Sequence, residues 1–255
     1  MNSVRRPSVV LGCGRSGTSL LAGTHAASGY GLGDGLLRAD ASNPKGFFES
    51  RRVNDLNEAL LAPLTDGAPM TDAGRPLTRR PLRQGERWLA ALAPDTEIPV
   101  QPGLQEELDD ALQVPPGSSL ARKDPRFTWT LPAWPSPLAD AVRLCVVRHP
   151  LAAARSILAM TDQGDLGLTL DGALAVWSAF YRRAKHLAAR DSAPWVFVHF
   201  DQLVDGTGYA RISEVLGVDL SLAFLDTALR RTQHDGDVPT QIASLHDDLR
   251  DLARR

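Results

Sequence analysis

Gly12-Cys13-Gly14-Arg15-Ser16-Gly17-Thr18-Ser19 follows the apolar run Val9-Val10-Leu11. These residue types make an anion cradle. Glycines let backbone N–H groups wrap a small anion, and a helix starting at Gly17 points its positive end at it. Arg15, Ser16, Thr18 and Ser19 add donors. The spacing fits the phosphate loop Gly-x-x-x-x-Gly-Lys-Ser/Thr, except that Thr18 stands where the lysine would be. In triphosphate-using enzymes that lysine reaches the β- and γ-phosphates and the next hydroxyl holds magnesium. The loop is therefore expected to take a phosphate or sulfate, with no evident need for a metal. Two other readings stay open. One is a tight strand-to-helix turn with no ligand. The other is the dinucleotide fingerprint, which Gly12, Gly14 and Gly17 also satisfy. No acidic residue ends a second strand about 20 residues on, as that fingerprint expects. Asp34 and Asp40 fall in a loop-like stretch instead.

A second group lies far along the chain, Val146-Val147-Arg148-His149-Pro150, then Ala154-Arg155-Ser156. Arg148 at a strand end offers a charged fork and Ser156 a neutral donor, which together suit a second phosphate. An arginine capping a strand, with a serine buried on the next helix, is the plain alternative. Arg230 and Arg231 follow a helical stretch and either reach the same anion or end a solvated helix. Glu49 follows Phe47-Phe48, a setting that raises a carboxylate pKa by desolvation and suits a general base. A capping or surface carboxylate is the other reading. Asp124, in Lys123-Asp124-Pro125-Arg126, is a second candidate base or an ion-pair partner of Lys123 or Arg126. His149 is read as structural, and His25 and His186 as packed or solvated helix residues. Trp177 and Tyr181, four apart on one helix face, read as core. Trp129 and Trp134 are weaker candidates for lining a pocket.

These groups need elements to hold them. Val9–Cys13 reads as a buried strand and Thr18–Ala27 as a helix, the opening of a parallel α/β sheet. Residues 30–50 read as loop and Arg52–Leu61 as a helix. Residues 62–103 carry many of the 18 prolines and read as an added lobe or lid, with a helix near Gly85–Ala93. Strands are expected at Ser118–Arg122, Val142–Val147 and Trp195–Phe200, the last followed by a turn at Asp201–Gly206. Helices are expected at Leu104–Leu112, Leu151–Met160, Asp171–Ala189, Tyr209–Leu216, Leu222–Arg230 and Gln241–Ala253. The fold class is α/β, a central parallel sheet flanked by helices in three layers.

The 255 residues suit one domain spanning 1–255. A net charge of −2 gives no footprint for nucleic acid. No stretch approaches the ~20 apolar residues of a membrane span. The N-terminus runs straight into a strand with no leader pattern, so the cytoplasm is expected. Cys13 and Cys145 read as buried thiols rather than zinc ligands.

Strand, Gly-Arg-Ser-Gly-Thr-Ser and helix resemble the 5′-phosphosulfate loop of sulfotransferases that use 3′-phosphoadenosine-5′-phosphosulfate (PAPS). Val-Val-Arg-His-Pro followed by Ser156 resembles that family's 3′-phosphate site, with the same arginine-to-serine spacing. Asn43–Glu49 is similar to a Pro-x-Gly-Phe-Phe-Glu segment of bacterial members, and Lys123–Arg126 to their Lys-Asp-Pro-Arg element. Val196–Leu203 resembles a strand and turn that places an aromatic, here Phe200, near the adenine. The likeness covers the N-terminal unit and about Ser118–Gly206, not residues 62–103. It departs at Arg15, where many cytosolic members carry lysine, and in lacking their Lys-Thr-His element with its histidine base.

The resemblance implies a P-loop-like fold and sulfuryl transfer from PAPS to the hydroxyl of a small metabolite or natural product, without metal. Adenosine 3′,5′-bisphosphate is released. Gly14, Arg15, Ser16, Gly17, Thr18 and Ser19 would bind the 5′-phosphosulfate, and Arg148 and Ser156 the 3′-phosphate. Arg15 and Lys123 would steady the bridging oxygen, with Glu49, or else Asp124, as base. A magnesium-dependent kinase on the same fold and a non-catalytic nucleotide-binding module remain as rivals.

Overall fold

The computed structural model describes residues 5–41, 43–70, 74–136, 138–161, 165–225 and 235–255. Five parallel strands form one sheet in the order β2-β3-β1-β4-β5. They are β1 Ser8–Leu11, β2 Tyr30–Gly31, β3 Ser119–Lys123, β4 Val142–Val147 and β5 Trp195–His199. β1 and β4 are buried at every residue. Strands covered on both faces carry unbroken apolar runs, which marks these two in the sequence.

Alternate residues go to opposite layers. Val9, Leu11, Cys145, Val147 and Phe197 face one core, while Val10, Leu144, Val146, Val196 and Val198 face the other. α1 (Thr18–Ala27), α7 (Phe200–Val204) and α8 (Tyr209–Leu216) close the second core through Leu20, Leu21, Leu203, Ile212 and Leu216. The first core is closed by α2 (Arg51–Leu61), α3 (Leu104–Asp110), α4 (Phe127–Thr130), α5 (Pro150–Thr161), α6 (Leu170–Ala188) and α9 (Thr240–Leu252). The result is the expected three-layer α/β arrangement. Cys13 and Cys145 are free, buried thiols.

Register brings the functional segments together. Val10 pairs with Lys123, Leu11 with Cys145, and Val147 with His199. The carboxyl ends of β1, β3, β4 and β5 thus finish along one edge, where ligands bind in open α/β sheets.

Some elements differ from expectation. β2 lies inside the stretch read as loop, and two residues are too few to show a period. Residues 62–103 are built into the fold, since Leu77, Leu82, Leu89 and Ala90 belong to the first core. The helix expected near Gly85–Ala93 is one 3₁₀ turn, Arg87–Leu89. The turn at Asp201–Gly206 holds α7, capped by the His199 side chain. Of the helix expected at Leu222–Arg230, the described part is a 3₁₀ turn at Leu222–Phe224. Arg230 and Arg231 lie outside the described residues. No helix among the described residues is long and apolar enough to cross a membrane.

Candidate active site

The loop after β1 is shaped by close approach. Gly12 sits at φ +128°, and a Cβ there would lie 2.5 Å from the Val146 carbonyl oxygen. Its N–H donates to Thr128 Oγ1 at 3.2 Å. Gly17, at φ +95°, starts α1, and a Cβ there would overlap the Phe200 ring. Arg15 holds a left-handed φ of +67° despite its side chain. Such strain at a non-glycine residue gathers at ligand sites. Leu20 donates the first backbone bond of α1, to the Gly17 carbonyl at 3.0 Å, so the N–H groups of Thr18 and Ser19 are the helix-start donors that suit an anion.

Gly14, Arg15, Gly17, Thr18 and Ser19 line a cavity of about 580 Å³. Ser16 does not. It is fully buried, its N–H donates to the Cys13 carbonyl, and its hydroxyl lies 2.9 Å from the Tyr181 hydroxyl. Tyr181 also donates to the Val146 carbonyl at 2.7 Å. Ser16 therefore ties the loop to α6 and β4, and its side chain is not placed for a ligand.

Arg148, Ser156 and Phe200 line the same cavity. Arg15 Nε donates to Ser156 Oγ at 3.1 Å, and Arg148 donates to the Arg15 carbonyl at 3.0 Å. The Arg148 guanidinium lies 4.6 Å from the Phe200 ring centre. Burial lowers the Arg148 pKa, and the neighbouring Arg15 lowers it further. Two part-buried cations crowd together here, an arrangement that an anion relieves. Trp177, read as core, is core, but its indole N–H also donates to the Arg148 carbonyl at 3.1 Å.

The facing wall carries Glu49 and Lys123, a buried ion pair. Lys123 Nζ is also 3.3 Å from Ser19 Oγ, so it reaches from β3 to the loop. Asn54 donates to Glu49 Oε2 at 2.8 Å. Burial raises the Glu49 pKa, and the opposing pull of Lys123 does not cancel it.

Asp124 is fully buried and is not among the cavity-lining residues. It accepts from the Arg126 backbone at 2.8 Å and from its guanidinium at 3.1 Å. Its place is that of an ion-pair partner, the second of the two readings. Arg126 continues to buried Glu58 at 2.6 Å, and Glu58 in turn holds Arg87 at 2.8 Å.

Trp88, Asn54 and Glu58 were not singled out from sequence. No motif marks them, because their roles arise from packing between distant segments. Trp129 and Trp134 are buried in the first core and do not line the cavity. His149 packs against His246, which also lies 3.3 Å (Nε2 to Nε2) from His199, beside the site and not in it.

A glycine-rich loop at the carboxyl edge of a parallel sheet, facing the Arg148–Ser156 pair, makes this an α/β protein with cations gathered at its sheet edge. The Sulfotransferase family model matches residues 7–220, and the chain belongs to that family. Among solved structures it is similar to a sulfotransferase from Alicyclobacillus acidocaldarius. The two share 13% identity at a TM-score of 0.51, over 99% of this chain and 97% of that one. No curated protein matches the chain.

Proposed function

We propose that the protein transfers a sulfuryl group from PAPS to a hydroxyl of a small-molecule acceptor, releasing adenosine 3′,5′-bisphosphate. One observation carries this. Arg15, Arg148 and Ser156 meet in a cavity whose other wall holds the buried Glu49–Lys123 pair. Two anion positions and a candidate base thus share one space.

The residues present fit the donor. Gly12 and Gly17 let the loop lie tight against Val146 and Phe200, and Gly14, Arg15, Gly17, Thr18 and Ser19 surround the position for the 5′-phosphosulfate. Arg148 and Ser156 are the 3′-phosphate ligands. Phe200, packed against Gly17 and Arg148, offers the adenine a ring face.

The donor supplies an activated sulfuryl group: the acceptor oxygen bonds to sulfur as the bond from sulfur to the 5′-phosphate oxygen breaks, and that electron pair leaves with the bisphosphate. Glu49 takes the acceptor proton, and its raised pKa brings it closer to the working pH of a general base. Lys123 keeps Glu49 in place and, through its position beside Ser19, stabilises charge growing on the leaving oxygen. Arg15 does the same from the loop. Asn54 fixes the Glu49 carboxylate by holding Oε2.

The test is thermal stability with adenosine 3′,5′-bisphosphate against ATP plus magnesium. A ligand selective for the native state, at about 100 times its Kd, adds about 2.7 kcal/mol. Stabilisation by the bisphosphate without metal is expected. Stabilisation only by ATP with magnesium would turn the assignment toward a kinase. No response to either would turn it toward a non-catalytic module.

A further inference from the structure

We infer that the acceptor is an uncharged, ring-bearing alcohol or phenol whose flat face rests on Trp88, an inference that builds on the donor assignment above.

Charge balance separates the two ends of the cavity. At the donor end Arg15 and Arg148 crowd each other. Around Glu49 the charges cancel within buried groups. Lys123 is matched by Glu49, Arg126 by Asp124 and Glu58, and Arg87 by Glu58. Three cations face three carboxylates. A charged acceptor would bring a further buried charge to a wall with none left to meet it, and an unmatched buried charge is strongly disfavoured. At the exposed rim Arg38 stands in solvent and Asp40 acts on Arg15.

Shape follows from the remaining wall. Leu37, Phe47, Trp88 and Pro125 give the cavity apolar surface. Leu37 is tied to the base, its N–H donating to the Glu49 carbonyl at 2.8 Å. Trp88 comes from the lobe and lies against the loop, its Cε3 only 2.6 Å from where a Gly14 Cβ would be. Glu58 anchors it by accepting from the Arg87 N–H at 3.3 Å and from the Arg87 guanidinium. The same carboxylate grips Arg126. An aromatic platform fixed in this way favours a flat partner, by offset or edge contact. The lobe thereby selects the acceptor.

Three phenols of matched skeleton separate the possibilities: p-ethylphenol, p-hydroxyphenylacetate and tyramine. Each is assayed with PAPS, and bisphosphate affinity is measured by calorimetry on the wild type and on Trp88→Ala and Trp88→Phe. The neutral phenol is expected to show at least tenfold higher kcat/KM than either charged one. Trp88→Ala should raise KM for it tenfold or more and leave bisphosphate Kd within twofold. Trp88→Phe, which keeps a ring, should restore most of that KM.

Equal or better turnover of a charged phenol would overturn the inference. So would bisphosphate binding with no transfer to any of the three, or a Trp88→Ala variant whose bisphosphate binding weakens while its KM for the neutral phenol is unchanged. A wild type that does not bind the bisphosphate would instead remove the donor assignment, and this inference with it.

Discussion

Glu58 is the joint between the lobe and the sheet edge, and its removal has a calculable cost. It is 2% exposed. One oxygen holds Arg126 at 2.6 Å and the other holds Arg87 at 2.8 Å. The Arg126 side chain is 3% exposed and that of Arg87 15%, so neither cation has bulk water to turn to. Breaking a buried pair by deleting one partner costs about 3–5 kcal/mol. Arg126 keeps Asp124 at 3.1 Å, which puts Glu58→Ala toward the lower part of that range, about 3–4 kcal/mol. For a domain of this size each kcal/mol moves Tm by about 2–4 °C, so a fall of about 6–16 °C is expected. Urea unfolding gives the free energy and calorimetry the midpoint. Arg52→Ala is the control, since it breaks an ion pair between largely exposed partners and should leave stability near the wild type. A Glu58→Ala loss below about 1 kcal/mol would refute the reasoning, because it would mean that water or a rearranged neighbour reaches the abandoned arginines.

Glu49→Gln should lower kcat by about 10²–10⁴ while bisphosphate still binds. The wild-type rate should rise with pH through a limb above the ordinary carboxylate value of 4.5, and the variant should lack that limb. Near-full activity in Glu49→Gln would remove it as base. His25 is buried with Nδ1 on the Leu21 carbonyl, and burial lowers its pKa to about 4. Its neutral form belongs to the fold, so its share of stability is whole above pH 6.5 and is lost as pH falls toward about 4. That share amounts to about 3 kcal/mol. Urea midpoints for His25→Leu and wild type should differ in acid sensitivity across this window, and equal sensitivity would discard the assignment. Gly12→Ala drives a Cβ into the Val146 carbonyl and should cost at least the ~1–3 kcal/mol of overpacking, read by urea unfolding, with weaker bisphosphate binding. Unchanged affinity would show that the loop tolerates displacement from β4.

The strands with unbroken apolar runs were legible because burial on both faces writes itself into residue type, as in Val142–Val147. β2 was not, because its two residues are defined by pairing with Ser119 and Leu120 and not by any pattern of their own. The loop and the Arg148–Ser156 pair were legible as motifs, and the structure gathers them around one cavity. Within the loop, sequence could not tell which hydroxyls face outward. Ser16 and Ser19 have the same chemistry, but Tyr181 claims Ser16 for the core. Residues 62–103 carried no periodicity because their prolines break it, while Leu77, Leu82 and Leu89 still anchor them. Nothing in the sequence around Trp88 marks it, because its place against Gly14 is set by packing between distant segments.

The parallel register also dictates the order in which the protein can be completed. The glycine loop leaves the ribosome well before Phe200, the ring that fills the space over Gly17. At about 5–20 residues per second, the loop waits roughly 10–40 s for that ring. During that interval Arg15 has neither Arg148 nor Ser156 beside it for most of the time. The cradle's backbone is made well before the side chains that complete it. A nascent chain lacks the complete cavity until synthesis has passed β5.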